Sequence, residues 1–164
     1  MAGKEVFKWE GLYRIMLMVL AISMVMMGYA MAEEKGIVTY EKDVKLIVAR
    51  GCLSCHGSNA PTIEEFDINK EGFKKQNKGP RTNTYKHLMV FVNGKDTGAL
   101  MRRLDDGKNT KDGKPGNMYI KLGETDSERA KNLEIIKKWV GGWTLKRKAE
   151  ITEEELKAIK AKEK

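Results

Sequence analysis

The sequence predicts an all-α fold, and three observations support that prediction. Apolar residues recur at the three- and four-residue spacing of an amphipathic helix, most clearly within residues 40–50 and 125–140. The strict alternation of apolar and polar residues that a half-buried strand requires is scarce along the chain of 164 residues. Polar, glycine-rich segments separate the apolar ones, which is typical of loops that join helices.

The first helix is expected over residues 40–50, and Gly51 is expected to end it. Its apolar residues fall on one face at the spacing i, i+4, i+7 and i+8, and they are Tyr40, Val44, Ile47 and Val48. Residues 58–84 contain two prolines and many charges, so a loop is expected there, whose apolar residues could lie against the core.

Two shorter helices are expected over residues 85–92 and 98–104, and a turn sequence at 93–96 divides them. Residues 105–116 are rich in glycine, asparagine, aspartate and lysine, which predicts an exposed loop. This loop leads directly to Met118.

The clearest helix is predicted over residues 125–140. Thr125 and Glu128 have the spacing of a capping box, and a face of apolar residues follows them at Leu133, Ile136 and Val140. Gly141 is expected to end the helix. A second pair with this spacing, Thr152 and Glu155, begins a lysine-rich final segment.

Three regions are predicted from these patterns. Residues 1–32 resemble a secretory signal peptide, because basic residues precede an apolar run that ends in the small residues Ala30 and Ala32. An uncleaved membrane anchor is the alternative for the same run. Residues 33–146 are expected to form one small domain with a single core, and residues 147–164 a basic C-terminal helix or tail.

The two cysteines of the chain both lie in the motif Cys52-Leu53-Ser54-Cys55-His56, hereafter the CxxCH motif. This spacing attaches a c-type haem: the two thiols add to the two vinyl groups of one porphyrin, and the histidine lies under the iron. A zinc site would need a second cysteine pair, and a thioredoxin-like dithiol would follow a strand rather than a helix. One covalent haem with its iron is therefore predicted, and export agrees with it because haem is attached outside the cytoplasm.

The order of these parts resembles the class I cytochrome c superfamily. The resemblance implies a helical domain wrapped around one haem, with Cys52 and Cys55 as thioether sites and His56 as the proximal iron ligand. It implies that Met118, on a late loop, is the distal ligand. It also suggests Pro61 as the proline whose carbonyl accepts a hydrogen bond from the histidine ring.

The sequence leaves other distal ligands open, because Met118 is not followed by the proline common in that family. His87 is the only other histidine and would give bis-histidine ligation. Met89 and Met101 lie in apolar helical segments, where methionine more often fills the core. An open sixth position is a further alternative.

A His/Met-ligated haem predicts a one-electron carrier that is not an enzyme, whereas an open or exchangeable site would suit a haem sensor or a peroxidase-like protein. A third interpretation is a haem-bearing subunit of a larger oxidoreductase.

The chain has 31 basic and 23 acidic residues, a formal net charge of +8, so acidic redox proteins or membrane redox complexes are the expected partners. Basic residues are not interleaved with aromatic ones, which argues against nucleic-acid binding. The expected location is the periplasm, with a membrane-anchored or extracellular protein as the alternatives.

Overall fold

The computed structural model describes residues 36–164, and helices and turns make up this part of the chain. The predicted signal peptide or anchor at residues 1–32 lies outside the described residues. The α-helices, numbered here in chain order, are α1 (Lys45–Gly51), α2 (Leu53–His56), α3 (Ile63–Ile68), α4 (Lys70–Lys75), α5 (Tyr85–Asn93), α6 (Ala99–Leu104), α7 (Asp126–Val140) and α8 (Glu153–Ala158). Shorter helical turns are a π-helical turn at Tyr40–Val44 and 3-10 turns at Tyr119–Leu122 and Lys148–Glu150.

The all-α prediction is confirmed over residues 36–164. Sheet pairing there is limited to one isolated antiparallel bridge between Gly141 and Ile159. Within the same residues, no helix has both the length and the apolar character needed to cross a bilayer.

The core forms where the π-helical turn, α1, α5, α6 and α7 meet. The predicted face of the first helix is buried as expected, and so is the apolar face of α7. The fully or almost fully buried side chains include Tyr40, Val44, Leu88, Val92, Met101, Ile136, Trp139 and Val140. Burial of this apolar surface is the main force that holds the short helices together, because helices of six to nine residues are not stable alone.

The start of α7 differs slightly from the predicted capping box. The Thr125 hydroxyl accepts a hydrogen bond from the Glu128 backbone N–H at 3.1 Å, as predicted. The Glu128 carboxylate, however, accepts from the Glu124 N–H at 3.0 Å, one residue before the cap. Both bonds still satisfy backbone donors that a helix start leaves free, so the helix begins where the sequence indicated.

Two helices occur where the sequence predicted a loop. In α3, the hydroxyl of Thr62 and the carboxylate of Glu65 form a complete capping box. In α4, the Asn69 side chain accepts from the Gly72 N–H at 3.1 Å. Neither helix contains a buried residue, which is why no apolar periodicity revealed them.

The C-terminal segment after α8 packs against the rest of the domain. Ile159 and Ala161 are buried, and the Lys162 carbonyl accepts a hydrogen bond from the Tyr40 N–H at 2.9 Å. The Trp139 indole N–H donates to the same carbonyl at 2.8 Å. Residues 37–164 form one compact unit that includes this segment, and the domain boundary at residue 146 stays a prediction.

Candidate haem-binding site

The CxxCH motif continues the first helix through a short change of direction. The Cys52 N–H donates to the Val48 carbonyl at 2.9 Å, and the His56 N–H donates to the Cys52 carbonyl at 3.0 Å. Cys52 and Cys55 are therefore about one helical turn apart and His56 directly follows. Both thiols are free and partly exposed.

Burial raises the pKa of the Cys52 thiol to about 11. A catalytic or redox-active thiol needs the opposite shift, because the thiolate is its reactive form. The environment of Cys52 therefore does not suit a thioredoxin-like dithiol. Two free, partly exposed thiols beside a histidine are, in contrast, the donor set that haem attachment requires.

The ring of His56 is held by one nitrogen. Nδ1 lies 2.6 Å from the carbonyl oxygen of Pro80, and a carbonyl can only accept, so Nδ1 carries the proton of this bond. In the tautomer that this bond selects, the other nitrogen, Nε2, is the one with the available lone pair. That tautomer is the one that binds a metal through Nε2, with the backbone carbonyl fixing the ring.

The assignment of Pro61 as the partner of the histidine was wrong. Its carbonyl accepts instead from the Arg81 N–H at 2.7 Å, and the Arg81 side chain donates from Nε to the Ala60 carbonyl at 2.9 Å. Pro61 thus fastens the returning chain, and that returning chain brings Pro80 to His56. The physical reason is that the helices of residues 63–75 fold the chain back onto the motif.

Residues 79–82, hereafter the proximal strap, line the side of the motif that holds the histidine. The Gly79 N–H donates to the Cys55 carbonyl at 3.0 Å, and the Thr82 N–H donates to the His56 carbonyl at 2.9 Å. A Cβ atom at Gly79 would overlap the imidazole ring of His56. The strap therefore packs its backbone directly on the ring and leaves it no room to turn.

Met118 approaches the motif by a different path. Its N–H donates to the Arg103 carbonyl at 2.9 Å, and the 3-10 turn Tyr119–Leu122 begins immediately after it. That turn packs against Gly51, where a Cβ atom would overlap the Lys121 carbonyl. The structure thus brings the segment that carries Met118 to the residue that precedes the CxxCH motif.

The other candidate distal ligands differ in their surroundings. Met101 is fully buried in the main core. Met89 is partly buried on α5 and packs against that core. His87, also partly buried on α5, places Nδ1 3.0 Å from the side-chain oxygen of Asn83.

Comparison with known proteins identifies the family. The model of the PccH cytochrome c family matches residues 39–163, which include the motif, the strap, Met118 and the docked C-terminal segment. This chain belongs to the PccH cytochrome c family. No curated protein matches it significantly.

The family assignment agrees with a solved structure. The PccH-family chain described here is similar to the monohaem cytochrome PccH from Geobacter sulfurreducens, with 50% sequence identity and a TM-score of 0.73. The match covers 77% of this chain and 99% of that one. The protein is thus a monohaem c-type cytochrome with one covalently bound haem c and its iron, and the predicted cofactor is confirmed.

Sequence reasoning missed the proximal strap of this PccH-family cytochrome. Pro80 and Gly79 hold the histidine ring, yet both were predicted only as parts of a loop. A complete capping-box pattern at Thr62 and Glu65 was present in the sequence and would have indicated that the loop contains a helix. The return of the chain to His56 had no local signal.

Proposed function

We propose that this cytochrome is a one-electron carrier whose haem is bound by Cys52 and Cys55, with His56 and Met118 as the axial ligands. The observation that carries the proposal is the 2.6 Å contact between His56 Nδ1 and the Pro80 carbonyl. It leaves Nε2 as the nitrogen with the available lone pair, beside two free thiols. Bound haem supplies an iron that gains or loses one electron.

A rigid ligand favours such a role. Gly79 packs on the ring of His56, and the strap is hydrogen-bonded to the backbone carbonyls of Cys55 and His56. A ligand that does not move between the two oxidation states keeps the structural change on electron transfer small. The chain's contribution is therefore to hold the imidazole fixed rather than to move a proton or bind a substrate.

Met118 is the preferred distal ligand because its segment reaches the motif independently of the strap. The turn that follows Met118 lies on Gly51, whereas the strap lies on the histidine side. Met101, in contrast, has no exposed surface. A thioether ligand fills the sixth position and leaves no site for a substrate, which favours a carrier over a peroxidase-like protein.

We further propose acidic redox proteins or membrane redox complexes as partners, in an exported and most simply periplasmic location. The support for these partners is the net charge of +8, which raises encounter rates with negatively charged proteins, and the support for export is the signal-peptide pattern of residues 1–32.

Absorption spectra of the purified holoprotein test the ligand set. The wild-type ferric protein is expected to show a covalent c-type spectrum with the weak far-red band of methionine ligation. Met118→Ala should lose this band. The control variants Met89→Leu and His87→Gln should keep it, since each alters another candidate ligand of α5.

Each alternative has its own signature. A low-spin ferric spectrum without the far-red band, unchanged in Met118→Ala but altered in His87→Gln, would move the ligand to His87. Loss of the band in Met89→Leu alone would assign Met89. A high-spin ferric spectrum of the wild type would contradict the carrier proposal and favour a sensor or a peroxidase-like protein.

A further inference from the structure

The residues before Met118 are built around a buried carboxylate, Asp105. Its side chain has no exposed surface, although its segment is polar and was predicted to be exposed. The carboxylate accepts hydrogen bonds from the Gly107 N–H at 2.9 Å, the Asn109 N–H at 3.3 Å and the Asn109 side-chain amide at 2.8 Å. Asp105 thus organises residues 105–116, hereafter the methionine loop, from the inside.

A fourth hydrogen bond ties this carboxylate to a distant element. The Trp143 indole N–H donates to Asp105 at 2.9 Å, across 38 residues of sequence. Trp143 is held in turn by the Lys137 ammonium group, which lies 5.4 Å from its ring centroid. Lys137 also lies 3.7 Å from the Asp106 carboxylate. The methionine loop is therefore fixed to the end of α7 through Asp105 and its neighbour.

Hydrogen bonds at the base of the methionine loop hold the residues that lead to Met118. The Gly116 N–H donates to the Asp105 carbonyl at 2.8 Å, and the Met118 N–H donates to the Arg103 carbonyl at 2.9 Å. The Arg103 guanidinium donates to the Asn117 side chain at 3.0 Å. Asp105 thus anchors the interior of the loop through its carboxylate and Gly116 through its carbonyl, while Arg103, two residues earlier, anchors Asn117 and Met118.

We propose that Asp105 is a positioning residue that holds Met118 at the iron. The inference rests on the proposed ligation by Met118. Replacement of the carboxylate by an amide keeps one acceptor oxygen and turns the other into an NH2 donor, which then faces N–H donors of the loop or of Trp143, so the loop should open locally while the core, made of other residues, stays folded. Local opening would release the methionine without unfolding the domain.

Imidazole binding to the ferric holoprotein measures this opening, because added imidazole binds the iron only when the distal ligand has left. We expect Asp105→Asn to raise the apparent imidazole affinity about tenfold, equivalent to about 1.4 kcal/mol. Asp112→Asn is the matched control: it lies in the same loop but is exposed, and its carboxylate accepts from the Lys114 N–H at 3.1 Å. This variant should bind imidazole like the wild type.

Trp143→Phe tests the hydrogen bond between Trp143 and Asp105 by changing the donor instead of the acceptor. It keeps an aromatic ring under Lys137 but removes the donor to Asp105. Imidazole affinity should increase, and the double variant with Asp105→Asn should bind no more tightly than Asp105→Asn alone. If Asp105→Asn does not yield folded holoprotein, the imidazole affinity of Trp143→Phe alone tests the proposal.

The outcomes separate the inference from the proposed function. Folded Asp105→Asn and Trp143→Phe proteins with wild-type imidazole affinity would overturn the inference alone, as would an equal increase in Asp112→Asn. The far-red band of the wild type would then remain as support for Met118. A wild-type protein without that band would overturn Met118 ligation and the positioning role together.

Discussion

Tyr85 donates its hydroxyl hydrogen to the carbonyl oxygen of Ala161, 2.9 Å away and 76 residues later in the chain. The Tyr85 ring packs against Tyr40 and Trp139, with centroid distances of 5.6 and 6.5 Å. Trp139 donates to the neighbouring Lys162 carbonyl at 2.8 Å. Two aromatic side chains thus donate to the backbone of one C-terminal segment, and Tyr40, whose ring packs on both, donates to the same segment through its backbone N–H.

Removal of the Tyr85 hydroxyl is expected to weaken the attachment of this segment. Tyr85→Phe should lower the free energy of unfolding by about 1 kcal/mol, because one intramolecular hydrogen bond is lost. Ile159→Ala, in the segment itself, should lower it by about 2–4 kcal/mol, because a buried side chain is cut back. Denaturant unfolding followed by circular dichroism measures both. Lys162→Ala is the control, since that residue contributes its backbone while its side chain is exposed, and a comparable loss there would contradict the explanation.

Gly79 should not tolerate a side chain. In Gly79→Ala the added Cβ would overlap the His56 ring, which must then leave its position against Pro80. We expect a lower yield of haem-loaded protein and an altered ferric spectrum. Gly36→Ala is the control, because nothing lies within 4 Å of a Cβ at that position. A Gly79→Ala protein with wild-type yield and spectrum would show that the strap does not constrain the ring.

The ionised Asp105 carboxylate should make the free energy of unfolding depend on pH in the acid range. Burial alone would raise the pKa of this carboxyl, but hydrogen bonds from Asn109, Trp143 and Gly107 outweigh it and hold the pKa below its ordinary value. A carboxyl whose pKa is lowered by folding stabilises the fold above its unfolded pKa, about 3.9, and this contribution is lost as the pH falls through the lower folded value.

The comparison is the free energy of unfolding of wild type and Asp105→Asn at pH 7 and at several values below about 4. At pH 7 the variant should be less stable by about 1–3 kcal/mol, because buried donors lose an acceptor oxygen. The difference should shrink as the pH falls, since the wild type loses the same interaction. A difference that does not change with pH would contradict the role of the ionised carboxylate. Asp112→Asn provides the exposed control.

The positive net charge of the protein should affect the rate at which charged donors reduce it. With a net charge of +8, the second-order rate constant for reduction by an anionic donor is expected to fall several-fold as salt is raised. Reduction by a neutral donor should not change. Because Met118 is the proposed iron ligand, Lys121→Gln in the 3-10 turn that follows it should slow the anionic reaction more than Lys157→Gln on α8. Equal effects would contradict an approach of the donor at this turn.

The sequence predicted those parts of the fold that bury an apolar face. The helix α7 and the face around Val44 follow from helical spacing, since a helix that covers a core must repeat its apolar residues, whereas α5 and α6 were predicted as apolar segments divided by a turn. The helices α3 and α4 bury nothing and could be recognised only by their caps.

The sequence did not predict contacts between residues that lie far apart in the chain, for a different reason. Two prolines lie between His56 and α5, and the choice between Pro61 and Pro80 depends on how the intervening chain turns back. Asp105 stands in a segment whose composition indicates exposure, yet Trp143 and local N–H groups satisfy its charge inside the domain. The haem motif, in contrast, is complete within five consecutive residues, so haem attachment could be predicted from the sequence directly.

The docked C-terminal segment also brings together the two ends of the described domain. Tyr40 and Glu41 donate their N–H groups to the carbonyls of Lys162 and Glu163 at 2.9 and 3.1 Å. A short peptide linker could therefore join the ends, and new termini could be opened at Gly113, where the chain is exposed and has no neighbour near a Cβ. In such a circular permutant the haem motif would follow the former C-terminus in sequence, so Met118 would be synthesised before the haem motif instead of after it.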